Sequence, residues 1–166
     1  MNDYRLIIAV DPGVHGAVAV NFPKELKSKA QGVYSYKWTG EAEAVDLVKE
    51  LAAYSANELV QAEAYIEQVG GYLKGKPAPG SAMFNFGRNF GFWLAAFSYA
   101  GIPLRFVRPQ AWQRGLPVKA AVQGAARKRA LRDVAAKLYP QIRVTLDNAD
   151  ALLLLDYAIR AREHYN

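Results

Sequence analysis

The sequence predicts an α/β fold, a mixed β-sheet flanked by helices, and three observations carry the prediction. Residues 7–20, IIAVDPGVHGAVAV, read as two apolar strands around an Asp-Pro-Gly turn, the first aliphatic and β-branched enough to be buried on both faces. A helical apolar stripe over residues 45–52 separates a third strand from a fourth, and a strand that returns after a helix forms a parallel crossover. Three further helical segments, 81–100, 125–139 and 147–165, supply apolar faces to pack with such a sheet.

Strands 7–10 and 17–20 form a hairpin, and 32–38 (GVYSYKW) adds a third antiparallel strand at one edge after a Lys-rich turn over 23–31. Thr39 or Gly40 opens a helix with Glu41 and Glu43 in its first turn, where acids suit the helix dipole, and Val45, Leu47, Val48, Leu51 and Ala52 inward. The fourth strand, within 59–69, ends in AYIEQV and should lie beside the first. Residues 70–80 (GGYLKGKPAPG) hold four glycines, two prolines and two lysines, which makes a loop of a length that tends to be functional.

Ser81 is the expected N-cap of the next helix, with Gly101 past its end and Pro103 beyond. That helix is apolar nearly all round and must be covered on more than one side. Gly87, Gly91 and Ala95, spaced four apart, form a small-residue groove for another helix, either internal or from a second subunit. A short fifth strand follows at 104–107, then a helical turn at 109–112 and an irregular stretch at 113–124. The helix at 125–139 places Leu131, Val134, Ala135 and Leu138 inward and Arg127, Lys128, Arg129, Arg132 and Lys137 outward. In the last helix, opened by Asp147, the spacings put Asp147, Asp150, Ala151, Leu154 and Ala158 on one face.

A chain of 166 residues suits one domain, residues 1–166, with enough core to need no staples. Absence of cysteine excludes disulfides, thiolate nucleophiles and cysteine zinc sites, leaving carboxylates and two histidines as possible metal ligands. No secretory pattern and no uncharged run of membrane-spanning length occurs, so the expectation is a soluble cytoplasmic protein with no membrane partner. The net charge of +6 is uneven: residues 105–143 carry ten Lys or Arg against the single acid Asp133, or +9, and the remainder sums to −3. Such asymmetry is the electrostatic footprint of a polyanion partner.

Against that basic background four acids stand out. Asp11 ends a buried strand, where a carboxylate must be hydrogen-bonded, paired or metal-bound unless it only begins the turn. Glu67 reaches the same sheet end if the fourth strand lies beside the first, whereas Glu63 reads as an ordinary glutamate on a solvent face. Asp147 and Asp150 either cap and favour the last helix or point together at the sheet. A carboxylate cluster repels itself and repels phosphate, and hard dications such as Mg²⁺ or Mn²⁺ remove both problems. Two ions about 4 Å apart activate water on one side of a phosphodiester and stabilise the leaving oxygen on the other. Asp156 reads as a surface acid, His15 as a solvent-exposed turn residue, and His164 lies in a tail expected to fray.

The order DPG on strand one, IEQV on strand four and DNADAL on the last helix resembles the RuvC-type Holliday junction resolvases of the RNase H-like superfamily. The span MFNFGRNFGFWLAAFSYAGIPLRFVRPQAWQ looks especially like the phage-encoded members. The resemblance runs over residues 6–157. It implies a five-stranded sheet ordered 3-2-1-4-5, a homodimer, and Mg²⁺-dependent nicking of branched DNA such as a four-way junction inside a bacterial cell. It also implies Asp11, Glu67, Asp147 and Asp150 as the metal-binding catalytic set, with two ions per site, Mn²⁺ as a substitute and no small-molecule cofactor.

Bacterial members of that family carry an aromatic residue three positions after the strand-four glutamate, where this chain has Gly70; Tyr72 is a substitute that could stack on a base. Candidate DNA contacts are Tyr72, Lys74 and Lys76 in the loop, Arg108, Lys119, and Arg127, Lys128, Arg129 and Arg132 on the basic helix. Two other readings use the same residues: a nuclease of this fold acting on RNA or unspecific flap DNA, and a non-catalytic branched-DNA-binding protein. The four intact acids argue against the latter.

Overall fold

A computed structural model of the protein describes residues 5–23, 32–56, 60–68, 72–73, 76–77 and 80–163, with backbone alone at 72–73, 76–77 and 163. The elements in chain order are β1 (Arg5–Asp11), β2 (Ala17–Phe22), β3 (Gly32–Lys37), α1 (Glu41–Ser55), β4 (Gln61–Glu67), β5 (Tyr72–Leu73), β6 (Lys76–Pro77), α2 (Gly80–Tyr99), β7 (Leu104–Val107), α3 (Pro109–Trp112), α4 (Gly124–Leu138) and α5 (Ala149–Glu163). The main sheet runs β3-β2-β1-β4-β7, which is the expected 3-2-1-4-5 order with β7 as its fifth strand.

Pairing register brings the strand ends together. β1 pairs antiparallel with β2, Asp11 opposite Ala17, and parallel with β4, Val10 opposite Ile66. Asp11 and Glu67 each follow that last matched pair, so they leave adjacent strands side by side. The turn holding Asp11 depends on Gly16, where an added Cβ would come within 2.0 Å of the Asp11 carbonyl oxygen. No other residue fits there without moving the hairpin.

Alternation along β1 splits the core in two. Leu6, Ile8 and Val10 face the layer of α1 and α2, whereas Ile7 and Ala9 face α5 and α4. Both faces of β1 are buried, as its aliphatic composition predicts. In α5 four consecutive leucines, Leu152 to Leu155, are at most 1% exposed, so this helix is enclosed on more sides than the expected single stripe. Each such leucine contributes roughly 1.5–3 kcal/mol on burial.

Several expectations shift. Ser81 lies inside the first turn of α2, which begins at Gly80, and does not cap it. The other end behaves as expected: Gly101 takes φ +68°, and its N–H donates to Ser98 O while Ile102 N–H donates to Phe97 O, a Schellman closure. Leu138 is 45% exposed, because α4 ends there and the buried Tyr139 takes the inward position. Within residues 70–80, expected as loop, β5 and β6 pair as a short antiparallel ribbon.

Among the described residues the aromatic helix α2 is covered on one side. Asn89, Trp93 and Phe97, one turn apart, face inward, with Trp93 stacked on Phe97 and against Trp38. Phe84 is 72% exposed, and among the described residues nothing but the helix's own backbone stands within 4 Å of where a Cβ would be at Gly87 and Gly91. No described residue fills the small-residue groove.

Candidate active site

Each acid reaches the sheet end by a different route. Asp11 closes β1, and its Oδ1 accepts the Gly13 N–H at 3.0 Å, an Asx turn that orients the carboxylate. Glu67 closes β4, and its Oε1 accepts the indole Nε1–H of buried Trp112 at 3.0 Å. Asp150 lies in the first turn of α5.

Asp147 sits two residues before α5 and does not open it. The sequence Thr145 to Asn148 first makes its own turn: Thr145 N–H donates to Asn148 Oδ1 at 2.7 Å, and Asp147 N–H to Thr145 Oγ1 at 3.3 Å. That turn delays the helix and leaves the Asp147 carboxylate 3.0 Å from Lys37 Nζ on β3.

Asp11, Glu67 and Asp150 lie within one another's fields. Burial pushes Glu67 up to about 8, with the charges of Asp11 and Asp150 adding to the shift. Burial, then Asp11, raises Asp150 to about 6. Burial raises Asp11 too, opposed by the Gly13 bond and by Lys128, with Asp147 adding a smaller upward push. Lys128 on α4 therefore acts on three of the four acids, although its side chain is exposed.

Among the described residues no group of three or more His, Asp or Glu side chains stands close enough together to hold a metal ion. Asp11, Glu67 and Asp147 each engage a protein donor, Gly13, Trp112 and Lys37 respectively. The donor set itself is hard oxygen, desolvated and mutually repelling, which suits a hard dication.

The candidate DNA contacts distribute differently. Arg108, Lys119, Lys128 and Arg129 are exposed. Arg127 donates to Gln113 Oε1 at 2.6 Å, and Arg132 is paired with Asp133 at 2.6 Å, so these two are partly engaged. Tyr72 and Lys76 are in the short ribbon after Glu67, described by backbone only, and Lys74 falls outside the described residues. His15 is exposed in its turn.

Sequence reasoning misread one acid and missed two donors. Glu63 is 3% exposed, bonded to Arg105 and Arg162 and to the Tyr65 hydroxyl at 3.1 Å, not facing solvent on its strand. Trp112 and Lys37, the partners of Glu67 and Asp147, carry no local signal, because the contacts join segments far apart in the chain.

Comparison with known proteins then bears on the fold. No family model and no curated protein matches the chain. Among solved structures it is similar to Thermus thermophilus RuvC in complex with Holliday junction substrate, at TM-score 0.56 and 17% identity over 96% of each chain. A second Thermus thermophilus RuvC structure matches at TM-score 0.54 and 16% identity, again over 96% of each. The fold is RNase H-like. Within it, the carboxyl ends of β1 and β4 and the start of α5 form one acidic corner, and the exposed cations of α4 border it. None of the helices described is long and apolar enough to cross a membrane.

The raised acids set a pH dependence for the metal-free protein. A carboxyl whose folded pKa lies above its ordinary value binds more protons folded than unfolded, so stability is complete below the unfolded value and falls as pH rises toward the folded one. Glu67 places that window between 4.5 and about 8. Glu63 is opposite: burial would raise it, but the Arg105 and Arg162 bonds outweigh burial and hold it below 4.5, so its contribution is lost in acid. Melting of the EDTA-treated protein should therefore peak near pH 5 and drop on the order of 5 °C by pH 8. A flat or rising profile over that range would contradict the burial of Glu67.

Proposed function

We propose that this protein is a metal-dependent, structure-selective endodeoxyribonuclease that nicks Holliday junctions and related branched DNA by phosphodiester hydrolysis. The observation that carries the reading is the acidic corner itself: Asp11, Glu67 and Asp150 crowded at one sheet end, with Asp147 beside them, on a strongly basic protein. Such carboxylates resist joint ionisation, and a hard dication would relieve them while attracting phosphate oxygens. Mg²⁺ would be held by Asp11, Glu67 and Asp150, with Asp147 exchanging Lys37 for it; two ions would activate water and stabilise the leaving oxygen. Trp112 fixes the Glu67 carboxylate, the Asx turn fixes Asp11, and Lys128 adds positive charge where phosphate would arrive. The solved likeness to RuvC in complex with Holliday junction substrate supports branched DNA as the substrate.

The reading includes a homodimer. Two symmetric nicks in a two-fold junction call for two sites related by a two-fold axis, and the open face of α2 is an apolar surface suited to such pairing.

The test is incubation with a labelled four-way junction, a linear duplex and an RNA hairpin, with Mg²⁺ or with EDTA. Cleavage of the junction alone, and only with metal, is the expected result. Preferred cutting of the RNA would move the protein to the alternative nuclease class, and junction binding without cutting in any metal would make it a binding protein.

The basic surface makes a further expectation. Arg129→Ala should flatten the dependence of binding on salt by about one unit of slope, equally for all DNAs, because one phosphate contact is lost. Arg132→Ala should do less, since Asp133 already neutralises it. Equal slopes for the parent and Arg129→Ala would mark this face as merely solubilising.

A further inference from the structure

β3 finishes at the same end of the sheet as the acidic corner, because Asp11 lies opposite Ala17 of β2 and Ala17 lies opposite Lys37 of β3. Lys37 reaches Asp147, whereas its neighbours Tyr36 and Trp38 pack on the other face of the sheet, onto the core shared with α1 and α2. The Trp38 N–H donates to Gly16 O at 3.0 Å, which fastens the end of β3 to the turn that carries Asp11.

After Trp38 the chain enters α1, and between that entry and Trp93 of α2 lies a cavity of about 210 Å³. Tyr36, Trp38 and Trp93 give it aromatic walls, the two indoles 5.5 Å apart and tilted, while Thr39, Gly40 and Glu43 supply its polar side. Glu43 Oε2 lies 3.1 Å from where a Gly40 Cβ would stand, so its carboxylate folds back over the helix entry. Glu41, in the same turn, is paired with Arg88 at 2.7 Å. Glu43 has neither a hydrogen bond nor an ion pair among the described residues.

A cavity of roughly 150 Å³ holds one benzene ring, and drug-sized ligands occupy about 300 Å³ or more. This one suits a single substituted six-membered ring between flat walls. A free acceptor carboxylate beside it selects a ring bearing an amino group, and among the bases the one-ring member with such a group is cytosine, whose N4 donates to Glu. Two strand spacings, about 10 Å, separate β3 from β1. That span is about three nucleotides of a stacked strand at about 3.4 Å each.

We infer that this cavity takes one unstacked cytosine of a nucleic-acid strand, about three nucleotides from the acidic corner, with its ring on the Trp38 indole and its N4 amino group donating to Glu43. The position along the strand rests on the nuclease reading; the chemistry of the pocket does not. Unstacking a base costs least where pairing is already interrupted, as in a single strand or at a branch. The pocket therefore gives the protein a base preference that the cations of α4 cannot supply, since phosphate contacts carry no sequence.

The test uses the full chain in EDTA, so that no cleavage is involved. Octanucleotides of deoxycytidine, thymidine and deoxyadenosine, and free deoxycytidine, are each titrated while the indole Nε1–H resonance of Trp38 is followed by NMR. The deoxycytidine octanucleotide should shift that resonance and bind about tenfold tighter than the other two, and Glu43→Ala should abolish the difference. Glu43 is exposed, so the variant should fold, and the parent titrations need no variant. An unmoved Trp38 resonance with all three strands, or equal affinity for them, would overturn the inference, as would a cytosine preference that survives Glu43→Ala. Free deoxycytidine binding as tightly as its octanucleotide would make this a nucleoside site and overturn the strand assignment. A Trp38 response in a chain that cuts nothing in Mg²⁺ would keep this pocket and refute the nuclease reading, whereas metal-dependent junction cutting with an unmoved Trp38 would refute the pocket alone.

Discussion

Asp11→Asn, Glu67→Gln and Asp150→Asn will each lower junction cleavage by about a thousandfold or more while leaving junction binding within a few-fold of the parent. A carboxylate that helps hold a catalytic metal controls several kcal/mol of transition-state stabilisation, and each ~1.4 kcal/mol is tenfold in rate. None of the three contributes to the exposed cations, so affinity for DNA should survive or rise slightly as negative charge is removed. Trp112→Phe is the graded companion. It keeps the ring in the core but deletes the Nε1–H that orients Glu67, and losses of such supporting bonds fall near 10–100-fold. Gel-resolved cleavage under single-turnover conditions, alongside binding in Ca²⁺ or EDTA, separates the two effects. Full activity in Asp11→Asn would remove the metal-site model altogether.

On the dimer proposed above, Gly91→Leu is expected to give a folded monomer and to reduce paired nicking of a junction more than tenfold relative to single nicks. The monomer should fold because among the described residues nothing but the helix's own backbone stands within 4 Å of a Cβ at Gly91 or Gly87, so the new side chain meets no described part of another element. Across a two-fold axis, the same side chain would meet its own copy and hold the helices apart. Phe90→Asp tests the same face by charge, since Phe90 stacks with Phe86 and lies against Phe106, which is 52% exposed. The tenfold figure corresponds to about 1.4 kcal/mol of lost coupling between the two sites. Light scattering at micromolar concentration decides the first half, and a supercoiled cruciform substrate, which distinguishes paired from single nicks, decides the second. A parent protein that is monomeric yet still makes paired nicks in one binding event would show that the open face of α2 has another role.

What the chain disclosed about itself depended on range. The hairpin around Asp11 and the crossover to β4 follow from local patterning, since alternation, turn chemistry and a helix between strands each act within a few residues, whereas the full five-strand order came only with the family resemblance. Those same patterns put Asp11 and Glu67 at adjacent strand ends. Asp147 was displaced from its expected helical position because Thr145 and Asn148 use side-chain bonds to make a turn, a competition that spacing alone does not reveal. Glu63 was misread for a stronger reason: its partner Arg162 is 99 residues away, and a strand pattern cannot see which helix will cover it. For the same reason Lys37 and Trp112 had no signal in their own neighbourhoods.

The enclosure of Leu152 to Leu155 has a kinetic consequence for the acids at the head of α5. Amides in the buried middle of that helix should exchange with deuterium only through global unfolding, whereas the turn at Thr145 to Asn148, exposed and held by side-chain bonds, opens locally. Asp150 would then ride on the slowest-opening part of the molecule and Asp147, three residues earlier, on one of the faster. Two carboxylates of one short segment would sample their positions on different clocks, the one near-static and the other free to leave Lys37 and return many times before the helix beneath it opens once.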